Sequence, residues 1–162
     1  LLDTFQNIYK ENYQTVYRVA QKLIRDEDTV ADIIQEVFIY LHEKMEEGKV
    51  IQYPKSWLYR ATYNKSIDYL KNKNRFQTID TFEDCLEDEN VLDESDLHKE
   101  IQCALSKLKA EEKFLVILYS EGLSYKELAE VTGIKFSSIG KTLSRALQKV
   151  QLELKNKHYE LY

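Results

Sequence analysis

The sequence predicts an all-α protein of two small helical domains joined by a flexible acidic linker, and three observations carry that prediction. The 162 residues are 43% apolar and 31% charged yet hold four glycines and one proline, too little turn chemistry for a sandwich, a barrel or a low-complexity fold. Apolar residues recur at three- and four-residue spacing towards both ends of the chain, as amphipathic helices require. Between these stretches, residues 80–100 carry ten acids against one lysine, a net of −9 within a total of −5. Apolar residues are sparse and aperiodic there, so residues 77–96 read as a linker longer than the connections inside compact domains. It separates a domain at residues 1–76 from another at residues 97–158.

In the first domain, Phe5, Ile8, Tyr9, Tyr13, Val16, Ala20 and Leu23 predict a helix over residues 4–24. A turn follows, with Asp28 or Thr29 as the expected cap of a second helix whose core stripe is Val30, Ile33, Ile34, Val37, Phe38 and Leu41. Asp32, Gln35 and Glu36 lie off that stripe and leave an acidic, amide-bearing face for a partner. A loop containing Gly48 leads to Pro54, which suits the first turn of a third helix. One side of this helix is an aromatic and apolar stripe of Tyr59, Tyr63, Ile67 and Leu70. The other is polar, with Arg60, Asn64, Asp68, Lys71 and Arg75 at spacings of three and four. Aromatic residues interleaved with basic ones suit single-stranded nucleic acid, because bases stack on rings while cations follow the backbone. The same stripe at helical spacing equally suits a protein core.

In the second domain, Leu97, Ile101, Ala104, Leu105 and Leu108 mark a helix, and Phe114, Leu115, Ile117 and Leu118 mark the next, which ends near Glu121 and Gly122. Ser124 and Glu127 form the capping pair of a short helix through Val131, and Thr132-Gly133-Ile134 is a tight turn into a last helix from about Ser137. That spacing is a helix-turn-helix. Ile139, Leu143, Ala146 and Val150 face inward, which leaves Ser137, Lys141, Ser144, Arg145 and Gln148 on the outer face, where a major groove is read. A plain helical bundle would need the inner stripe but not the polar outer row.

The positive charge lies where nucleic acid would be met: five basic residues against one acid over residues 59–75, and six against one over residues 135–157. Other chemistries find no support. Cys85 and Cys103 have no partner at metal-ligand spacing, His42, His98 and His158 stand apart from any catalytic grouping, and isolated glycines exclude nucleotide loops. No cofactor and no metal is expected. No apolar run approaches the roughly 20 residues of a membrane span, and no basic-then-apolar leader opens the sequence, so a cytoplasmic protein without membrane insertion is expected.

Asp32-Ile33-Ile34-Gln35-Glu36-Val37-Phe38, then Trp57-Leu58-Tyr59-Arg60-Ala61, Asn64 and Asp68-Tyr69-Leu70, resemble the core-binding and promoter-melting region 2 of bacterial RNA polymerase sigma factors. The likeness is to the small extracytoplasmic-function (ECF) type of the sigma-70 family. Gly122-Leu123-Ser124-Tyr125-Lys126-Glu127-Leu128-Ala129 and Gly133-Ile134 resemble its promoter-recognition region 4, with departures at Lys109, where the family usually has Pro, and at Gly140 inside the recognition helix. The resemblance implies a non-enzymatic sigma factor that binds core RNA polymerase at its clamp and flap and contacts promoter DNA both as duplex and as melted single strand. It further implies docking on the clamp through Asp32, Gln35, Glu36 and Phe38. Contact with the melted element nearest the start site falls to Trp57, Arg60, Asn64, Lys71, Lys73 and Arg75. Reading of the upstream duplex element falls to Ser137, Lys141, Ser144, Arg145 and Lys149. An anti-sigma protein is a further partner that the family implies. The rival reading is a stand-alone helix-turn-helix regulator that binds duplex DNA without polymerase, and a third is a helical scaffold.

Overall fold

A computed structural model describes residues 1–76 and 95–159, with side chains described for residues 1–73 and 97–156. The expected linker falls mostly outside the described residues, as do Cys85 and the side chains of Arg75 and His158. Seven α-helices make up the described secondary structure: α1 (Leu2–Leu23), α2 (Glu27–Glu46), α3 (Pro54–Phe76), α4 (Ser95–Ser106), α5 (Ala110–Ser120), α6 (Tyr125–Thr132) and α7 (Phe136–Tyr159).

The first three helices pack pairwise around Val16, Val19, Ala20, Val30, Ile34, Val37, Leu41 and Leu58, all fully or nearly fully buried. The cap of α2 differs from the sequence expectation. Asp26, not Asp28 or Thr29, holds the N-terminus, its carboxylate accepting from the Thr29 backbone N–H at 3.0 Å and also from the Thr29 hydroxyl. Those two bonds hold the Asp26 carboxyl below the usual carboxylate range. Pro54 opens α3 as expected, where its missing N–H has no intrahelical partner to lose.

In the second unit Ser124 accepts from Glu127 N–H at 3.2 Å while the Glu127 carboxylate accepts from Ser124 N–H at 2.7 Å, completing the expected capping box. Gly133 then closes α6 at φ 76, a left-handed position that a side chain would strain. Lys109, the departure from proline, precedes α5 with an extended backbone whose N–H donates to the Glu112 carboxylate at 3.3 Å. Proline would fit the φ of −61 but lacks that donor.

The two units also pack against each other, which no sequence pattern announced. Helix α5 lies against α1 and α3, and α6 lies against α3. One apolar cluster runs from Ile8 and Val16 through Tyr59 to Phe114, Leu118, Leu128 and Ile139. The Tyr63 ring meets Phe114 edge-on at 4.8 Å between centroids. A smaller satellite core of Leu105, Leu108 and Ala146 fixes α4 on α7.

Candidate nucleic-acid interface

Helix α2 carries Asp32, Gln35 and Glu36 exposed on one face, joined by the half-exposed Ile39 and Tyr40. Glu36 is partly occupied, accepting from Lys65 of α3 at 2.8 Å. Phe38 corrects the docking expectation that came with the resemblance: it lies inward, as the core stripe predicts, and is 4% exposed, with its ring 4.8 Å from Tyr9 and 6.0 Å from Tyr13. Its position on the core stripe, rather than its nearness to the acids, decides where it points. It contributes to the floor of a groove of about 790 Å³ between α1 and α2, lined also by Phe5, Gln35 and His42.

On α3, Arg60, Asn64 and Lys71 are exposed along one row. Lys73 is exposed too but stands about 200° further round the helix, near enough to Asp26 to help hold that carboxyl down, so it does not join the row. Trp57 is half-buried with its ring 5.4 Å from Tyr40. The opposite stripe resolves the ambiguity left by the sequence: Tyr59 and Ile67 are buried and Tyr63 packs on Phe114, so these rings form core and interface. Burial, then the nearby Glu121, pushes the Tyr59 phenol up to about 12.

On α7, Ile139, Leu143 and Ala146 are buried while Ser137, Lys141, Ser144 and Arg145 are exposed, so the polar row faces outward as the periodicity predicts. Lys149 is exposed but engaged, donating to Glu112 of α5 at 2.7 Å. Burial alone would raise the Glu112 carboxyl; the bonds from Lys149 and from the Lys109 backbone outweigh it and hold it low. Phe136, at the first position of α7, is 64% exposed and was not singled out by its sequence position. Gly140 lies under the Tyr125 ring, where an added Cβ would sit 3.4 Å from Tyr125 Cε2. Among the described residues no group of acids, histidines and cysteines is placed to hold a metal ion, and no helix is long and apolar enough to cross a membrane.

Two three-dimensional surfaces thus lie on one chain: a basic row on a tyrosine-rich helix, and the outer face of a helix-turn-helix. Comparison with known proteins covers the helical units that carry them. The profile of Sigma-70 region 2 matches residues 8–76, and that of Sigma-70 region 4 matches residues 98–150. The RNA polymerase sigma factor SigV of Bacillus subtilis is 27% identical over 89% of this chain and 87% of its own length. The ECF RNA polymerase sigma factor SigE of Mycolicibacterium smegmatis is 26% identical over 93% of this chain and 61% of its own length. Among solved structures, the sigma factor RpoE of Bartonella quintana, in complex with the anti-sigma factor NepR, superposes with a TM-score of 0.73 at 21% identity, covering 94% of this chain and 97% of that one. The chain belongs to the sigma-70 family and is a sigma factor of the ECF type. It binds core RNA polymerase and promoter DNA and directs transcription initiation, and the reading as a stand-alone regulator is not favoured.

Proposed function

We propose a division of labour by residue within that function. Asp32, Gln35 and Glu36 form the polymerase-docking face, with the aromatic groove beside them, Phe38 included, taking apolar side chains of the clamp. Arg60 and Asn64 meet the melted strand of the element nearest the start site, with Trp57 at the edge of that surface and Lys71 and Arg75 holding backbone, while Lys73 stands off that row beside Asp26. Unstacking a base costs a few kcal/mol, which stacking and pocket hydrogen bonds offset, so opening needs no bound nucleotide and the protein acts without catalysing a reaction. Ser137, Lys141, Ser144 and Arg145 read the upstream duplex, while Lys149 contacts phosphate. Residues 1–76 and 97–158 act as separate promoter-binding units, and the acidic segment between them tethers the two. The setting is the cytoplasm, and an anti-sigma protein, as RpoE has in NepR, is a further expected partner.

The observation that supports this reading most is that the polar rows of α3 and α7 both remain exposed while the apolar faces of the same helices are buried. Transcription by purified core polymerase with and without the protein, followed by sequencing of the transcripts, tests it. New start sites sharing two spaced upstream elements are expected. Binding of an operator by the protein alone, with no new transcripts, would establish the rival regulator instead.

A further inference from the structure

Helix α7 carries no side chain at position 140, and a ring from another helix stands there instead. The Ser124–Glu127 capping box fixes where α6 begins and so sets the place of Tyr125, its first residue. An added Cβ at Gly140 would come 3.4 Å from Tyr125 Cε2, so that ring lies against α7 at ordinary contact distance. Gly140 is one turn before Ser144 and about 40° round the helix from it, which puts the ring at the edge of the outward row. Tyr125 is 43% exposed there, and a second exposed ring, Tyr119 of α5, tilts against it with centroids 6.5 Å apart.

The two rings and α7 enclose a groove of about 300 Å³, lined also by Gly140, Leu147, Ser144 and Gln148. Ser144 and Gln148 belong to the outward row as well, so groove and row are one continuous surface. Among the described residues none that lines the groove is charged, which makes it a poor seat for a phosphate. What it offers is ring surface, one aliphatic side chain and small neutral polar groups. In the major groove of duplex DNA the apolar group on a base edge is the thymine 5-methyl. A ring face buries that methyl, whereas the N7 and O6 acceptors of guanine would lose water against it without gaining a donor.

We propose that Tyr125 is a specificity-determining residue of the promoter contact: its ring, lying over Gly140 in the groove shared with Leu147, receives the 5-methyl group of one thymine in the upstream duplex element. The proposal rests on the reading of the α7 row given above and adds to it a reader that is not on α7. The missing side chain at Gly140 is what lets a residue of α6 take that place.

The experiment uses holoenzyme assembled from core polymerase and the full chain, on a promoter duplex identified from its transcripts. Each thymine of the upstream element is replaced in turn by deoxyuridine, which removes the methyl and nothing else. Competition binding by the parent should weaken about fourfold at one position, the worth of one buried methyl group. Tyr125→Ser should bind the thymine and deoxyuridine forms of that position equally, and Tyr125→Phe should keep the parent's preference. Equal binding of every deoxyuridine duplex by the parent overturns the proposal, as does a preference that survives in Tyr125→Ser. A Tyr125→Phe variant that weakens all duplexes alike and loses the methyl preference puts the hydroxyl on a phosphate and overturns it too. If Tyr125→Ser loses helical signal, Tyr125→Gln takes its place in the same comparison. Arg145→Ala separates the two readings. A flat deoxyuridine scan beside an altered upstream preference in Arg145→Ala removes Tyr125 alone, whereas a flat scan with an unaltered preference removes the α7 row with it.

Discussion

At the scale of single residues, the inner positions of a helix told more about its outer face than the outer residues did themselves. Burial of Ile139, Leu143 and Ala146 sends Ser137, Lys141, Ser144 and Arg145 to solvent by periodicity alone. The same periodicity puts Phe38 on the core stripe of α2 and leaves Lys73 off the polar row of α3; only the family resemblance assigned the two to contact surfaces. Arg145→Ala should relax sequence preference at one or two upstream positions, costing about 1–3 kcal/mol where the contact is bidentate to guanine. Transcription from a library randomised in that element measures it, and an unaltered preferred sequence would remove Arg145 from the reading row. Asn64→Ala should slow open-complex formation more than initial promoter binding, read from a fluorescent base placed in the melted element; unchanged opening kinetics would discharge Asn64.

At the scale of elements, the helix-turn-helix was legible because its signals are local: a serine and a glutamate three apart, then a glycine where φ turns positive. Ser124→Ala should cost about 1 kcal/mol of stability, measured by denaturant unfolding, whereas a neutral result would mean that Glu127 caps the helix unaided. The start of α2 was less legible, since Asp26, Asp28 and Thr29 all qualify as caps by type and only the backbone decides among them. Helix α2 also carries the docking prediction. Asp32→Lys with Glu36→Lys should weaken core-polymerase binding while preserving helical content, although Glu36 will also release Lys65. Equal affinity of parent and variant in a polymerase titration would move the docking face elsewhere.

For the molecule as a whole, the packing of one half on the other lay beyond sequence reasoning, because its members look ordinary where they stand. Phe114 reads as core, Arg18 and Glu121 read as solvated charge, and nothing in the pattern pairs positions 103 residues apart. The interface should leave a pH signature. Burial, helped by Arg25, holds Lys113 down to about 8, so between there and the ordinary lysine value near 10.4 the unfolded chain binds the extra proton. Stability therefore rises with pH across that window. Tyr59, pushed up to about 12, and the raised Tyr63 keep their protons in the folded state after the unfolded chain loses them, so above about pH 10 they act in the opposite direction. Urea midpoints from pH 7 to 11 should show the rise, and Lys113→Met should abolish it; a flat profile in the parent would place Lys113 in water.

The Tyr125 ring over Gly140 limits which residues position 140 can accept. A methyl group there would reach ordinary contact at 3.4 Å from the ring, and alanine would recover up to about 1 kcal/mol of helix propensity. A longer side chain would press on the Tyr125 ring, which is 43% exposed and can turn aside. Bulk at position 140 is therefore felt first as a shift of that ring, at the seam between the two helices of the motif.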